Sequence, residues 1–250
     1  MLFQNNLGYL EKSIKLEKKI NNIIKEPRLI EKPEEKNILV LSPHFDDEIL
    51  GCGGVLRKHV LNNNKISILY VTDGSKKNSE KNKEEHFLMR KKESEKACRI
   101  IGIKNNEFYY LKEPEGYIEV KEESINNLCH IIKKNNPNLI YIPWFLDNHI
   151  DHFKTNKLLY QCYKKLNFNC MVCAYEIWTP IIPNIIINIS KEFRLKKKAL
   201  KEFKSQLKEV KYNLIFKGLN KYRTAYNLNG NGYAEAFLYL DVKKYFEIMK

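Results

Sequence analysis

The sequence predicts an α/β fold, a Rossmann-like and mostly parallel sheet with helices on both faces. Three observations carry that expectation. From residue 37 onward, short apolar runs alternate with longer amphipathic ones. Several of the short runs are continuously apolar, as strands buried on both faces are. Two clusters of histidine and carboxylate each follow directly on such a run, at the strand ends where open α/β sheets carry their sites.

The elements follow in order. Residues 1–36 read as a charged helical leader. Tyr9, Leu10, Ile14, Leu16, Ile20, Ile23 and Ile24 recur among Lys and Glu at roughly helical spacing, and Pro27 and Pro33 end the pattern. A helix on the outside of the domain is expected. The alternative is a partner or peripheral membrane-surface helix. Residues 37–250 read as one domain. Strands are expected over 37–41, 66–71, 108–111, 138–143, 170–177, 185–189 and 233–240. A helix should leave the first strand over 49–56. Residues 76–85 are polar and read as a loop. Helices follow over 86–101, stopped by Gly102, over 122–135, closed before Pro137, and over 151–166. Residues 190–212 read as one long basic helix with Ser190 as its N-cap.

Composition narrows the function. At 250 residues the chain can bury a full core, and its apolar fraction is 43%. No apolar run reaches the roughly 18 residues of a membrane span. The charged first thirty residues hold no secretory segment. The six cysteines are scattered, mostly in apolar surroundings, which suits reduced thiols in the cytoplasm. The net charge is +14, but only six of the 44 basic residues are Arg. Nucleic-acid readers lean on Arg for bidentate contacts, so nucleic acid is not the expected partner. An anionic substrate or an acidic membrane surface fits the charge better.

The first cluster is Ser42-Pro43-His44-Phe45-Asp46-Asp47-Glu48. The second, Asp147-Asn148-His149-Ile150-Asp151-His152, follows the strand over 138–143. Imidazole and carboxylate are ligands for zinc, iron or manganese. His44 alone could be a hydrogen-bonded histidine, and Asp47 alone a helix cap. Two such clusters at equivalent strand-to-helix turns, which converge in a parallel sheet, favour a catalytic metal with an open coordination position. Other motifs fail. Gly51-Cys52-Gly53-Gly54 lacks the third glycine of a dinucleotide fingerprint. Cys170 and Cys173 lie in an apolar strand and read as core.

Residues 43–48 resemble the HPDDE motif of the PIG-L/LmbE-like zinc de-N-acetylases, and residues 149–152 resemble their HxDH motif. The resemblance runs from about residue 37 to 240 and takes in Thr72-Asp73-Gly74, Arg90 with Glu93, residues 175–180 and Ala234-Glu235-Ala236-Phe237. Phe45 departs from the family's Pro, and residues 1–36 have no counterpart. The resemblance implies that His44, Asp47 and His152 hold zinc, with iron(II) as the alternative in the cell. It implies Asp46 as general base, His149 as a protonated acid or electrostatic partner, and Asp151 as the group orienting His149. Arg90, Trp178 and Glu235 are its candidate substrate contacts. The implied reaction removes acetyl from an N-acetylglucosamine-type sugar, on a nucleotide, lipid or glycan carrier, releasing acetate and a free amine. The alternative is an inactive sugar-binding protein of the same fold. Family members are often oligomeric, and no dimer motif stands out in this chain.

Overall fold

A computed structural model describes residues 26–75, 83–104 and 107–250. Most of the expected leader helix lies outside these residues. Among them, the strands are β1 (Arg28–Ile30), β2 (Asn37–Ser42), β3 (Lys65–Thr72), β4 (Phe108–Glu113), β5 (Leu139–Pro143), β6 (Met171–Tyr175), β7 (Ile185–Asn188) and β8 (Ala234–Asp241). They form one sheet in the order β1-β7-β8-β6-β5-β2-β3-β4. Neighbours run parallel, except that β8 is antiparallel to both β6 and β7. The sheet therefore begins before residue 37, because β1 pairs with β7.

The helices are α1 (Asp47–Leu61), α2 (Lys83–Ile101), α3 (Glu122–Asn135), α4 (Ile150–Leu166), α5 (Phe193–Leu200), α6 (Lys204–Leu207), α7 (Tyr212–Tyr222) and α8 (Val242–Met249). They cover both faces. In β2, Leu39 and Leu41 join the core beneath α3, α4 and α8, while Ile38 and Val40 join the core beneath α1, α2, α5 and α7. That split follows from the two-residue period of a strand. Both faces are apolar, so β2 reads as a continuous apolar run. The helix α3 ends where the sequence says it should. Asn136 takes the left-handed conformation (φ 43°) and donates its N–H to Ile132 O, with Pro137 next.

Two expectations change. Residues 76–82 of the expected loop lie outside the described residues, and Lys83–Glu85 already belong to α2, with Glu84 and Glu85 in its first turn. Acidic residues there suit the helix N-terminus. The expected long helix over 190–212 is broken into α5, α6 and the start of α7. Glu93 on α2 accepts the Ser205 N–H at 2.9 Å, the donor that an unbroken helix would give to Lys201. Phe203 turns inward, fully buried, at ψ 57°. Tertiary partners thus override a periodic helical pattern. Ser190 does not cap; its hydroxyl donates to Asn188 Oδ1 and accepts from Tyr233 N–H.

Near the end of α1, buried His59 sits between Asn64 Oδ1 and Tyr141 OH, both at 2.9 Å. Burial lowers its pKa to about 4, opposed in part by the Asn64 hydrogen bond. A histidine kept neutral in the fold binds a proton more readily when unfolded. Its contribution is therefore complete above about pH 6.5 and is lost as pH falls toward 4, by up to about 3 kcal/mol. Urea unfolding of wild type and His59→Gln at pH 7 and pH 4.5 checks this: the variant should lose less stability between the two pH values, and equal losses would refute it.

Candidate active site

The pocket forms where β2 has β3 on one side and β5 on the other, so the connections leaving β2 and β5 diverge. The turn after β2 presents His44, Asp46 and Asp47. The turn after β5 presents Asp147, His149, Asp151 and His152.

Asp47 Oδ2 lies 3.0 Å from His44 Nδ1 and 3.3 Å from His152 Nε2. Two ligands in a tetrahedral shell, each about 2.0 Å from the metal, are about 3.3 Å apart. His152 is fully buried, and neither of its ring nitrogens makes a hydrogen bond of good geometry among the described residues. Such an orphaned buried imidazole fits a metal ligand. Its Nδ1 faces Asp147 Oδ1 at 3.0 Å, the carboxylate–histidine arrangement that steadies metal-bound imidazoles. His149 completes a group of three imidazoles, each offering a nitrogen within 4.8 Å of the others'.

Charge follows the geometry. Burial pushes the Asp47 carboxyl upward, but His152 and His44 outweigh it and hold the group well below the usual carboxylate range. Asp46 goes the other way. Burial raises its pKa despite the nearby Arg90 guanidinium. Its Oδ2 accepts from Tyr212 OH at 2.9 Å and from Arg90 at 3.2 Å. Burial, reinforced by His44 and His152, lowers His149 to about 4. His149 is therefore neutral near pH 7, contrary to the expected resting imidazolium.

Asp151 was expected to orient His149. Its carboxylate instead lies 3.0 Å from His44 Nε2 and accepts Gly116 N–H at 2.7 Å, with His149 Nδ1 at 4.0 Å. The link to His149 is through the backbone: Asp151 N–H donates to His149 Nδ1 at 3.2 Å.

A cavity of about 80 Å³ opens here, lined by His44, Asp46, Asp47, Leu50, Arg90, Glu115, His149, Trp178, Gln206 and Tyr212. Trp178 lines it with 41% of its surface exposed. A wider groove of about 560 Å³ shares Arg90 and Gln206 with it. Glu235 does not line either cavity. It is buried against α1, where Gly54 N–H, Val55 N–H and Lys196 Nζ occupy its carboxylate. Phe45, standing where the resembled motif has Pro, is fully buried and stacks on Tyr70 at 4.6 Å.

Sequence reasoning missed Tyr212, Glu115 and Gln206, which come from loops and helix starts with no motif around them. Asp147 stands in the second sequence cluster without a role of its own. A carboxylate two residues before a histidine on a metal-type turn was the available signal.

Comparisons with known proteins bear on this geometry. A protein-family model described as PIG-L, GlcNAc-PI de-N-acetylase, matches residues 39–163, half of the chain. Diacetylchitobiose deacetylase of Thermococcus kodakarensis is 25% identical over 226 residues, covering 82% of this chain and 83% of that protein. Among solved structures, N,N'-diacetylchitobiose deacetylase from Pyrococcus horikoshii, complexed with an inhibitor, matches with a TM-score of 0.69 at 22% identity, over 83% of this chain and 84% of that one. The 4-carboxy-2-hydroxymuconate hydratase from Pseudomonas putida matches with a TM-score of 0.70 at 16% identity, over 82% and 96%. The fold therefore hosts more than one reaction, and the site has to carry the functional argument.

Asp147 also anchors the loop after β6, since its Oδ2 accepts the N–H groups of Trp178 at 2.8 Å, Thr179 at 3.1 Å and Ile177 at 3.4 Å. Asp147→Ala should cost about 2–4 kcal/mol by stranding these donors. Chemical denaturation measures it, and a loss under about 0.5 kcal/mol would show that the loop stands without this carboxylate.

Proposed function

The chain belongs to the PIG-L family of GlcNAc-PI de-N-acetylases, metal-dependent N-deacetylases, and we propose that it is a zinc hydrolase that removes acetyl from an N-acetylated amino sugar on a larger carrier. The observation that carries this reading is Asp47 Oδ2 between His44 Nδ1 and His152 Nε2, at 3.0 and 3.3 Å, beside a cavity lined by Asp46.

His44, Asp47 and His152 would hold the metal. A divalent metal there supplies an activated water and polarises the amide carbonyl. This ligand set does not by itself discriminate zinc from iron(II). One hydrogen bond separates His149 from the ligands. Its Nδ1 accepts Asp151 N–H, so the neutral ring carries its proton on Nε2. A ring in that tautomer donates a hydrogen bond and has no free nitrogen lone pair left for a metal.

The residues then divide the work. Asp46 takes a proton from water as its oxygen attacks the acetyl carbon. Both side-chain partners of Asp46 fall on Oδ2, which leaves Oδ1 for that proton. Its raised pKa makes the carboxylate a better base. His149 Nε2–H donates to the carbonyl oxygen as negative charge develops. Asp46 returns its proton to the departing nitrogen as the carbon–nitrogen bond breaks. Acetate and the amine leave.

Trp178 offers an exposed ring on which a sugar can stack. Arg90 is buried with its Nε unpartnered, and it stands where the small cavity meets the wide groove. The groove is room for the carrier. No helix among the described residues is long and apolar enough to cross a membrane.

Two variants test the reading. Asp46→Asn should keep about one zinc per chain and lose acetate release from N-acetyl sugars about 10²–10⁴-fold. His152→Ala should lose the metal itself. Elemental analysis and an acetate assay read both. Loss of metal in Asp46→Asn would mean that base and ligand are confused. Zinc bound by the wild type without acetate release from any N-acetyl sugar would favour an inactive sugar-binding protein.

A further inference from the structure

The helix α1 is broken early. Cys52 leaves helical geometry (φ −139°, ψ 15°), which sets the turn carrying Asp47 apart from the rest of the helix. A break leaves carbonyls on one side and N–H groups on the other in need of partners. Leu50 O accepts from Lys196 Nζ at 2.8 Å. The N–H groups of Gly54 and Val55 each donate to one oxygen of Glu235, both at 2.8 Å. Lys196 and Glu235 pair with each other at 2.7 Å. Leu50 and Gly54 are the i and i+4 groups that an unbroken helix would join directly. An ion pair is threaded between them.

Both charges are buried, Lys196 at 0% and Glu235 at 1% exposure, and neither lines the catalytic cavity. Burying an ion pair is weak evidence for stability as such. This one has its hydrogen bonds aimed at a single discontinuity, three to eight residues after Asp47. Close packing holds the same stretch from the sheet side. A Cβ on Gly51 would lie 2.2 Å from the Tyr175 ring, and one on Gly54 would lie 2.6 Å from Ile189. The first turn of α1 thus has its direction set by contacts that continuous helix geometry does not supply.

We propose that Glu235 and Lys196 are positioning residues for the reaction: their ion pair holds the break in α1 and so fixes the turn that presents Asp46 and Asp47 to the pocket. The inference rests on the roles given to those two aspartates above.

The test compares wild type, Glu235→Gln, Glu235→Asp and the double variant Lys196→Met with Glu235→Leu. Ile248→Ala, in α8 on the opposite face, serves as a control for general destabilisation. Chelator competition gives the zinc affinity, the acetate assay splits kcat from KM, and hydrogen–deuterium exchange over residues 44–56 is followed in metal-free protein. Glu235→Gln should bind zinc about 10–100-fold more weakly and lose kcat by a similar factor, with KM little changed. Glu235→Asp should recover part of both. The double variant strands no charge and should fold, yet keep the weak zinc affinity. Exchange over 44–51 should rise in Glu235→Gln and in the double variant, and stay at the wild-type level in Ile248→Ala. Zinc affinity and exchange in the double variant equal to wild type would overturn the proposal. So would the same changes in Ile248→Ala. If wild type binds no zinc, the reading of the pocket fails, and the exchange data still decide the role of the pair.

Discussion

One carboxylate oxygen, Asp47 Oδ2, lies against nitrogens of two buried imidazoles. An anion there without cations would be costly in a low-dielectric pocket. Much of the surrounding structure answers that cost. Asp147 braces His152 from behind, Asp151 meets the far nitrogen of His44, and backbone N–H groups hold both of these outer carboxylates in turn. The pocket is a layered arrangement in which acids alternate with imidazoles. The sheet supplies the meeting point, because β2 and β5 release their chains side by side.

The same arrangement sorts the two aspartates after His44 into different chemistries. Asp47 faces imidazoles and stays ionised far below its ordinary range. Asp46, its neighbour in the chain, faces a phenol and a guanidinium under heavy burial, and its pKa rises. Adjacent residues at a helix start point in different directions, so a single turn can hold a metal-type ligand and a base-type carboxylate at once.

Much of this was legible in the sequence. The continuous apolar runs located seven of the strands, and the two histidine–carboxylate turns marked the edge at which the pocket opens. What stayed hidden has common physical causes. The short strand β1 has three residues and no pattern long enough to read. The break between α5 and α7 depends on Glu93 reaching Ser205 across space, which residue spacing cannot encode. Tyr212 reaches the pocket from that break, so it was lost with it. Glu235 was read as a substrate contact because it lies in a stretch resembling the family. Its real partners, two glycine-rich backbone amides and a lysine from α5, are about 180 and 39 residues away in the chain.

The reversed direction of β8 has a consequence for how the protein is made. Because it runs antiparallel to β6, its first residues, not its last, reach the edge where the pocket lies: Phe237 pairs with Tyr175, and Glu235 extends beyond it. The turn after β5 follows the turn after β2 by about a hundred residues in the chain. The acid that closes the break in α1 follows the turn after β5 by more than eighty residues. A growing chain therefore carries every imidazole and carboxylate of the pocket before it carries β8. On the role proposed for Glu235, the centre is complete only once β8 has joined the sheet between β6 and β7.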